Sequence, residues 1–248
     1  LWHYAVDATT PPPDIENGIV YTSYRSLQAR RLNDGKLLWH YAMDNGQSYT
    51  FQHGAIYINI ENQIVLRLNA QNGGLLWQLQ MHKEIGALNE QNGMLLLTML
   101  DGTVTALKDQ TGGIVWQFRP PAPGNVFWLS GTQEEVLYVG LDASIITFYA
   151  LRANDGHVLW SQAIHNVDQN YSPHVTNGFI YAKQIDGYIN AWSSNDGHLI
   201  WHSPSSTSIM GNLIEEDGLV YLQQPDGSIL VLHAQDGKVA WRYPDQNP

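Results

Sequence analysis

Residues 106–116 read Ala-Leu-Lys-Asp-Gln-Thr-Gly-Gly-Ile-Val-Trp: an apolar pair, a polar turn, Gly112, and Trp116 four residues later. Residues 150–160 repeat it as Ala-Leu-Arg-Ala-Asn-Asp-Gly-His-Val-Leu-Trp, and residues 231–241 as Val-Leu-His-Ala-Gln-Asp-Gly-Lys-Val-Ala-Trp. A Gly followed four residues on by Trp occurs six times: Gly35 and Trp39, Gly73 and Trp77, Gly112 and Trp116, Gly156 and Trp160, Gly197 and Trp201, Gly237 and Trp241. Trp2 reads as the tail of a seventh copy. Successive tryptophans lie 37, 38, 39, 44, 41 and 40 positions apart, a period that marks a repeat architecture before any other feature is weighed.

Upstream in each unit stands a second landmark. Asn17-Gly18, His53-Gly54, Asn92-Gly93, Asn177-Gly178 and Asp217-Gly218 each precede a short apolar run. Tyr21, Tyr57, Leu96, Tyr138, Tyr181 and Tyr221 occupy one equivalent place in the six runs. Midway come Asp101-Gly102, Asp186-Gly187 and Asp226-Gly227, with Asn62 and Asp142 in similar positions. Asp-Gly between two apolar runs signals a hairpin in which both central residues take positive φ. Each unit thus reads as four short strands. In the third, the strands are expected near residues 86–90, 94–99, 103–108 and 113–118. Asp34, Asn72, Thr111, Asp155, Asp196 and Asp236 are placed to hydrogen-bond the turn before the last strand through a short polar side chain. No segment sustains a 3.6-residue apolar period, so helix is not expected.

Four-stranded units of about 40 residues are the size of a propeller blade, and a lone blade must cover its apolar faces with neighbours. The expected fold is an all-β propeller forming a single domain. Its six complete units are residues 7–39, 40–77, 78–116, 117–160, 161–201 and 202–241, with residues 1–6 an extra outer strand. A closed ring of six is the favoured reading, because an arc would leave blade faces bare; an arc of a seven- or eight-bladed ring with missing strands is the alternative. The periodic tryptophans are expected to wedge between blades.

Composition narrows the function. Twelve Lys+Arg against 23 Asp+Glu give a net charge of −11, which argues against a phosphate-binding surface and hence nucleic acid. The absence of cysteine removes disulfides, thiolate metal sites and cysteine nucleophiles. No apolar run reaches the ~18 residues of a membrane span. The chain opens at Leu1 with no recognisable signal peptide, which reads as a processed or excised segment. An acidic, thiol-free domain suits a periplasmic or extracellular setting. No nucleophile elbow, phosphate loop or zinc-protease motif occurs.

The repeats resemble the pyrroloquinoline-quinone (PQQ) type repeat, whose core reads Ala-Leu-Asp-x-x-Thr-Gly-x-x-x-Trp. Ala106, Leu107, Thr111, Gly112 and Trp116 match best, followed by Ala150, Leu151, Gly156 and Trp160; Arg30 departs from the pattern in the first unit, and Trp192 in the fifth. The resemblance implies that the repeated Gly and Trp make tryptophan-docking contacts between blades. Its members span quinoprotein alcohol and sugar dehydrogenases, an outer-membrane assembly lipoprotein that binds proteins without cofactor, and sensor domains of larger proteins. A dehydrogenase is expected to hold PQQ over Ca²⁺ with converging acidic ligands, often against a vicinal disulfide. The disulfide is excluded here, and Asp7, Asp14, Asp44, Glu84 and Asp168 form no recognisable ligand set.

Among ten histidines, His3, His40 and His202 directly follow a Trp, on an outer strand beside solvent. His165, Asp168 and His174 form a weak metal candidate, and Asn170-Tyr171-Ser172 is a glycosylation sequon. Phe127 and Trp128, after the proline-rich stretch 120–124, are candidate partner anchors with Tyr171; the competing reading places Phe127 and Trp128 on an inner strand in the core, and Tyr49, Phe51 and Tyr171, in equivalent segments, are open to the same reading. The expectation is a non-catalytic module, without cofactor, that binds a protein or small ligand at a loop face or channel mouth. A PQQ-dependent dehydrogenase or its degenerate relative is the alternative.

Overall fold

The structure is a computed structural model of the 248-residue chain and describes residues 3, 12–23, 26–43, 48–52, 54–60, 63–91, 93–131, 135–143, 145–203 and 213–244. The expected outer strand at residues 1–6 lies outside the described residues except for His3, as do Asp7, Asp44 and Asn62.

Six antiparallel sheets of four strands follow one another, each strand pairing with its neighbours in sequence. They span residues 14–42, 48–80, 85–118, 125–163, 174–202 and 214–243, and are numbered here as blades 1 to 6. This is a six-bladed all-β propeller fold, with no helix among the described residues. The chain divides into two compact units, Leu1–Gln117 with blades 1–3 and Phe118–Pro248 with blades 4–6.

Blade 3 shows how the sequence makes a blade. Its strands are Ile85–Gln91, Met94–Met99, Val104–Lys108 and Ile114–Phe118, within two residues of the expected bounds. Leu95, Leu97 and Leu107 are fully buried, while Ile114 and Val115 on the edge strand are exposed. The fourth strand of every blade runs one to three residues past its tryptophan, so cutting the units at that residue truncates each sheet.

The turn with two left-handed residues, expected at the Asp-Gly pairs, stands instead at the upstream landmark. Asn17-Gly18, Asn177-Gly178 and Asp217-Gly218 join first and second strands with positive φ at both residues, 45–51° and 75–87°. These are the mirror-image turns that match strand twist. In Asp101-Gly102, Asp186-Gly187 and Asp226-Gly227 only the glycine is left-handed, at 84–88°. There each Asp instead accepts the backbone N–H two residues on, and the Gly N–H closes a turn on the residue three back.

Before each fourth strand the chain makes one and the same loop. Gly35, Gly73, Gly112, Gly156, Gly197 and Gly237 sit at φ 68–75° and donate to the carbonyl four residues back at 2.8–2.9 Å. Asp34, Asn72, Thr111, Asp155, Asp196 and Asp236 each accept the N–H two residues on, at 2.9–3.3 Å. A bulge follows in blades 1, 2, 4, 5 and 6, at the residue just before the tryptophan. Bulges disrupt the ladder and blunt an exposed sheet edge.

Candidate functional site

The repeated residues meet across blades rather than within them. Trp39 lies on the turn of blade 2, where a Cβ on Gly73 would stand 2.8 Å from the indole. Gly112 faces Trp77, Gly197 faces Trp160 and Gly237 faces Trp201 in the same way, with the ring 2.6–2.8 Å from that absent Cβ. Only glycine satisfies both the left-handed φ and this approach. Each indole N–H also donates to the carbonyl three residues before that glycine: Trp39 to Ala70 at 2.8 Å, Trp77 to Asp109 at 2.6 Å, Trp160 to Ser194 at 3.0 Å and Trp201 to Ala234 at 2.7 Å.

The tyrosine of the repeat supports the ring. Tyr21, Tyr57, Tyr138 and Tyr181 tilt at 46–49° against Trp39, Trp77, Trp160 and Trp201, with centroids 5.8–6.3 Å apart. Tyr21 and Tyr138 share the indole's carbonyl, at 3.3 and 3.1 Å. The Tyr181 hydroxyl is buried without a hydrogen-bond partner. Trp116 is 7% exposed, whereas Trp241 is 44% exposed.

Blades 2 and 3 carry a departure that sequence reasoning missed. Across the strand pair from each tryptophan stands a small or β-branched residue, Ala29, Ala150, Ala191 or Val231, but in blade 2 it is Arg67. Its Nε and Nη2 reach the Asp109 carboxylate at 2.8 and 3.0 Å, with both side chains only 17% exposed. Tyr57 donates its hydroxyl to the same carboxylate. Burial first, and then Asp109, drives the Tyr57 phenol well above its ordinary range. Two simultaneous breaks in the repeat, a charge at 67 and its opposite at 109, were the readable signal.

Trp128 is not a surface anchor. It is 6% exposed and packs on Tyr138 and Phe148 in the core of the second unit. Phe127 is half-buried at a strand bulge, its ring filling the space a Cβ on Gly140 would need. The proline-rich stretch only leads into this strand, whose alternation turns Trp128 inward.

Tyr171 is half-buried and packs against the core of blades 5 and 6, in a segment that is pinned. Val167 bridges to Gln184, Asp168 N–H donates to the Lys183 carbonyl at 2.9 Å, and Ile185 N–H donates to the Asn166 carbonyl at 2.6 Å. The Lys183 ammonium lies 3.3 Å from the Asp168 carboxylate and 3.8 Å from the Tyr171 ring centroid. Burial pushes the Asp168 carboxyl up, but hydrogen bonds from Asn170 and the Lys183 charge outweigh it and hold the group below its ordinary value. The structure therefore does not bring His165, Asp168 and His174 together as ligands. Asp168 is spent on Lys183 and Asn170, and both imidazoles are exposed. Among the described residues no three His, Asp or Glu side chains gather to hold a metal ion. Asp14 accepts from the Tyr49 hydroxyl at 3.3 Å.

The arrangement offers rigid turns and a fixed aromatic on a charged clasp, which suits contact with a partner. Against known proteins, the family model described as outer membrane protein assembly factor BamB matches residues 1–97, 25–172 and 142–248. The chain belongs to the BamB family. A curated BamB from Yersinia pestis is 24% identical over 206 residues, covering 76% of this chain and 52% of that protein. The chain spans about half the length of this curated relative. The crystal structure of BamB from Moraxella catarrhalis superposes with a TM-score of 0.66 at 16% identity, over 93% of this chain and 71% of that one. A europium-containing methanol dehydrogenase does so at 0.64 and 13% identity, over 95% and 71%. The computationally designed Ika8 protein reaches 0.67 at 15%, over 96% and 74%. No helix among the described residues is long and apolar enough to cross a membrane.

Proposed function

We propose that this chain is a non-catalytic propeller module that binds a protein partner outside the cytoplasm, in the assembly of outer-membrane proteins. The observation that carries this reading is the match to the BamB family model across residues 1–248. The site supports it: Tyr171 is held by Lys183 on a clasped segment, a fixed aromatic at a rigid loop of the kind interfaces favour. The repeated indoles serve the scaffold, locking neighbouring blades so that loops are presented in fixed register. No cofactor is needed for this role.

The fold likeness to the methanol dehydrogenase favours a second reading, PQQ-dependent oxidation of an alcohol or sugar. One experiment separates the two. Purified chain is titrated against purified outer-membrane assembly proteins by interferometry, and in parallel incubated with PQQ and Ca²⁺ before gel filtration. Saturable binding that weakens about tenfold or more in Tyr171→Ala is expected, with no quinone absorbance retained. Retained quinone together with dye-linked alcohol oxidation would replace the binding module with the dehydrogenase.

A further inference from the structure

The segment between blades 4 and 5 holds a motif that the scaffold does not use. Asn170-Tyr171-Ser172 is the single Asn-x-Ser/Thr sequon of the chain in which x is not Pro. Turns attract asparagine for conformational reasons alone. Asn17, Asn72 and Asn177 stand in turns too, yet Ile19, Gly74 and Phe179 occupy the place two residues on, and none carries a hydroxyl. The local structure presents this sequon outward. Tyr171 N–H donates to the Asp168 carbonyl at 3.1 Å, closing a four-residue turn with Gln169 and Asn170 at its apex. Gln169, Asn170 and Ser172 are exposed, while Val167 and Pro173 are buried and Tyr171 packs on the core of blades 5 and 6. Blade 5 is the middle blade of its unit, docked to blade 4 through Trp160 and Gly197 and to blade 6 through Trp201 and Gly237, so the footing of the turn lies within that unit.

The amide nitrogen is held as well as exposed. Asn170 Nδ2 donates to Asp168 Oδ1 at 2.9 Å, and the Asn170 backbone N–H reaches the same oxygen at 3.2 Å. Despite burial, the hydrogen bonds from Asn170 and the Lys183 charge hold the Asp168 carboxyl below its ordinary value, so it is an anion at neutral pH. A carboxylate drawing on the amide hydrogen leaves more electron density on a nitrogen that resonance otherwise makes a poor nucleophile. We propose that Asn170, positioned by the Asp168 carboxylate, is an N-glycosylation acceptor that takes an oligosaccharide on its side-chain nitrogen from a polyprenyl-pyrophosphate donor. The proposal rests on the extracytoplasmic setting proposed for the chain, not on its partner. In the transfer Nδ2 attacks the anomeric carbon of the first sugar, and the C–N bond forms as the C–O bond to pyrophosphate breaks. The pyrophosphate leaves with the electron pair, the amide gives one hydrogen to solvent as a proton, and nothing is oxidised or reduced. The product nitrogen keeps its other hydrogen for Asp168, so the turn survives the modification. The exposed Ser172 hydroxyl is the group a transferase reads beside the asparagine.

The test exports the 248-residue chain to the periplasm of bacterial cells that carry an oligosaccharyltransferase and a lipid-linked oligosaccharide of known mass, beside a control acceptor protein. Intact mass and peptide mapping read the occupancy. One added oligosaccharide is expected, on the peptide containing Asn170, in chain that melts within about two degrees of the unmodified form. Asn170→Gln and Ser172→Ala abolish it, with circular dichroism unchanged in both. Asp168→Asn keeps the sequon and is expected to lower occupancy about tenfold, and Asp168→Glu to restore it. Unmodified chain beside a fully modified control would overturn the proposal. So would modification confined to chain that does not fold, or occupancy in Asp168→Asn equal to that of the parent. Export is imposed and no partner is present, so the result is separable from the localisation and from the binding of assembly proteins.

Discussion

At the scale of single residues, the paired departures at Arg67 and Asp109 make the sharpest demand. Replacing either by Ala leaves the other charge, only 17% exposed, without its partner. We expect a loss of roughly 2–3 kcal/mol, less than for a fully buried pair because some solvent screens it. The double change to Ala restores residue types used at these positions in other blades, and is expected to cost less than the sum of the single changes. Urea unfolding of the four proteins checks this, and strict additivity would contradict the coupling. The tyrosines make a second demand. Tyr138→Phe removes a hydrogen bond to Ser194 and should cost about 1 kcal/mol, whereas Tyr181→Phe removes a buried hydroxyl with no partner and should be neutral or stabilising. Much at this scale was legible. The six turn residues from Asp34 to Asp236 were identified by their short acceptor side chains, and all six bond as chemistry requires. The seating partners were less so, because each glycine faces a tryptophan 34 to 37 residues earlier rather than the one four residues later.

At the scale of elements, the segment around residues 164–173 was the hardest to read. Its histidines and Asp168 suggested ligands, because sequence spacing does not reveal that Lys183, on a neighbouring strand, claims the carboxylate. That claim has a pH signature. The folded Asp168 carboxyl binds its proton more weakly than the ordinary value of 3.8, so its contribution is present above that value and lost as pH falls through the depressed one. Asp101, held down mainly by Lys83 and Thr103 against the cost of burial, acts in the same direction. Melting temperature is therefore expected to drop on acidification below about pH 4, and less steeply in Asp168→Asn. An unchanged slope in that variant would show the clasp contributes nothing. Blade 4 gives the complementary prediction. Trp128→Ala opens a cavity among Tyr138 and Phe148 and should cost about 3–5 kcal/mol, while Tyr171→Ala, at a half-buried position on the edge of the blade 5 and 6 core, should cost less and weaken partner binding. The sequence left Trp128 between two readings because a proline-rich lead and an aromatic pair serve an exposed loop as readily as a bulged inner strand.

At the scale of the whole molecule, the repeat makes six sheets whose edge strands each carry apolar residues in the open. Leu37 and Leu38, Leu75 and Leu76, Ile114 and Val115, Val158 and Leu159, and Leu199 and Ile200 are 37–58% exposed. The bulge beside those of blades 1, 2, 4 and 5 keeps these edges from pairing indiscriminately, so apolar surface coexists with a net charge of −11 that favours solubility. Period and blade architecture were readable because every unit repeats the same local chemistry. Function was not, since the fold is shared by an assembly factor and a dehydrogenase and resides in no repeated residue. The central claim is that indole and glycine hold blade 1 to 2, 2 to 3, 4 to 5 and 5 to 6, leaving loops to meet partners. Hydrogen exchange of the indole N–H groups, resolved by NMR in the 248-residue chain, tests it most directly. Trp39, Trp77, Trp160 and Trp201 are expected to exchange as slowly as core amides, with Trp241 fast. All five exchanging at the rate of Trp241 would contradict the account.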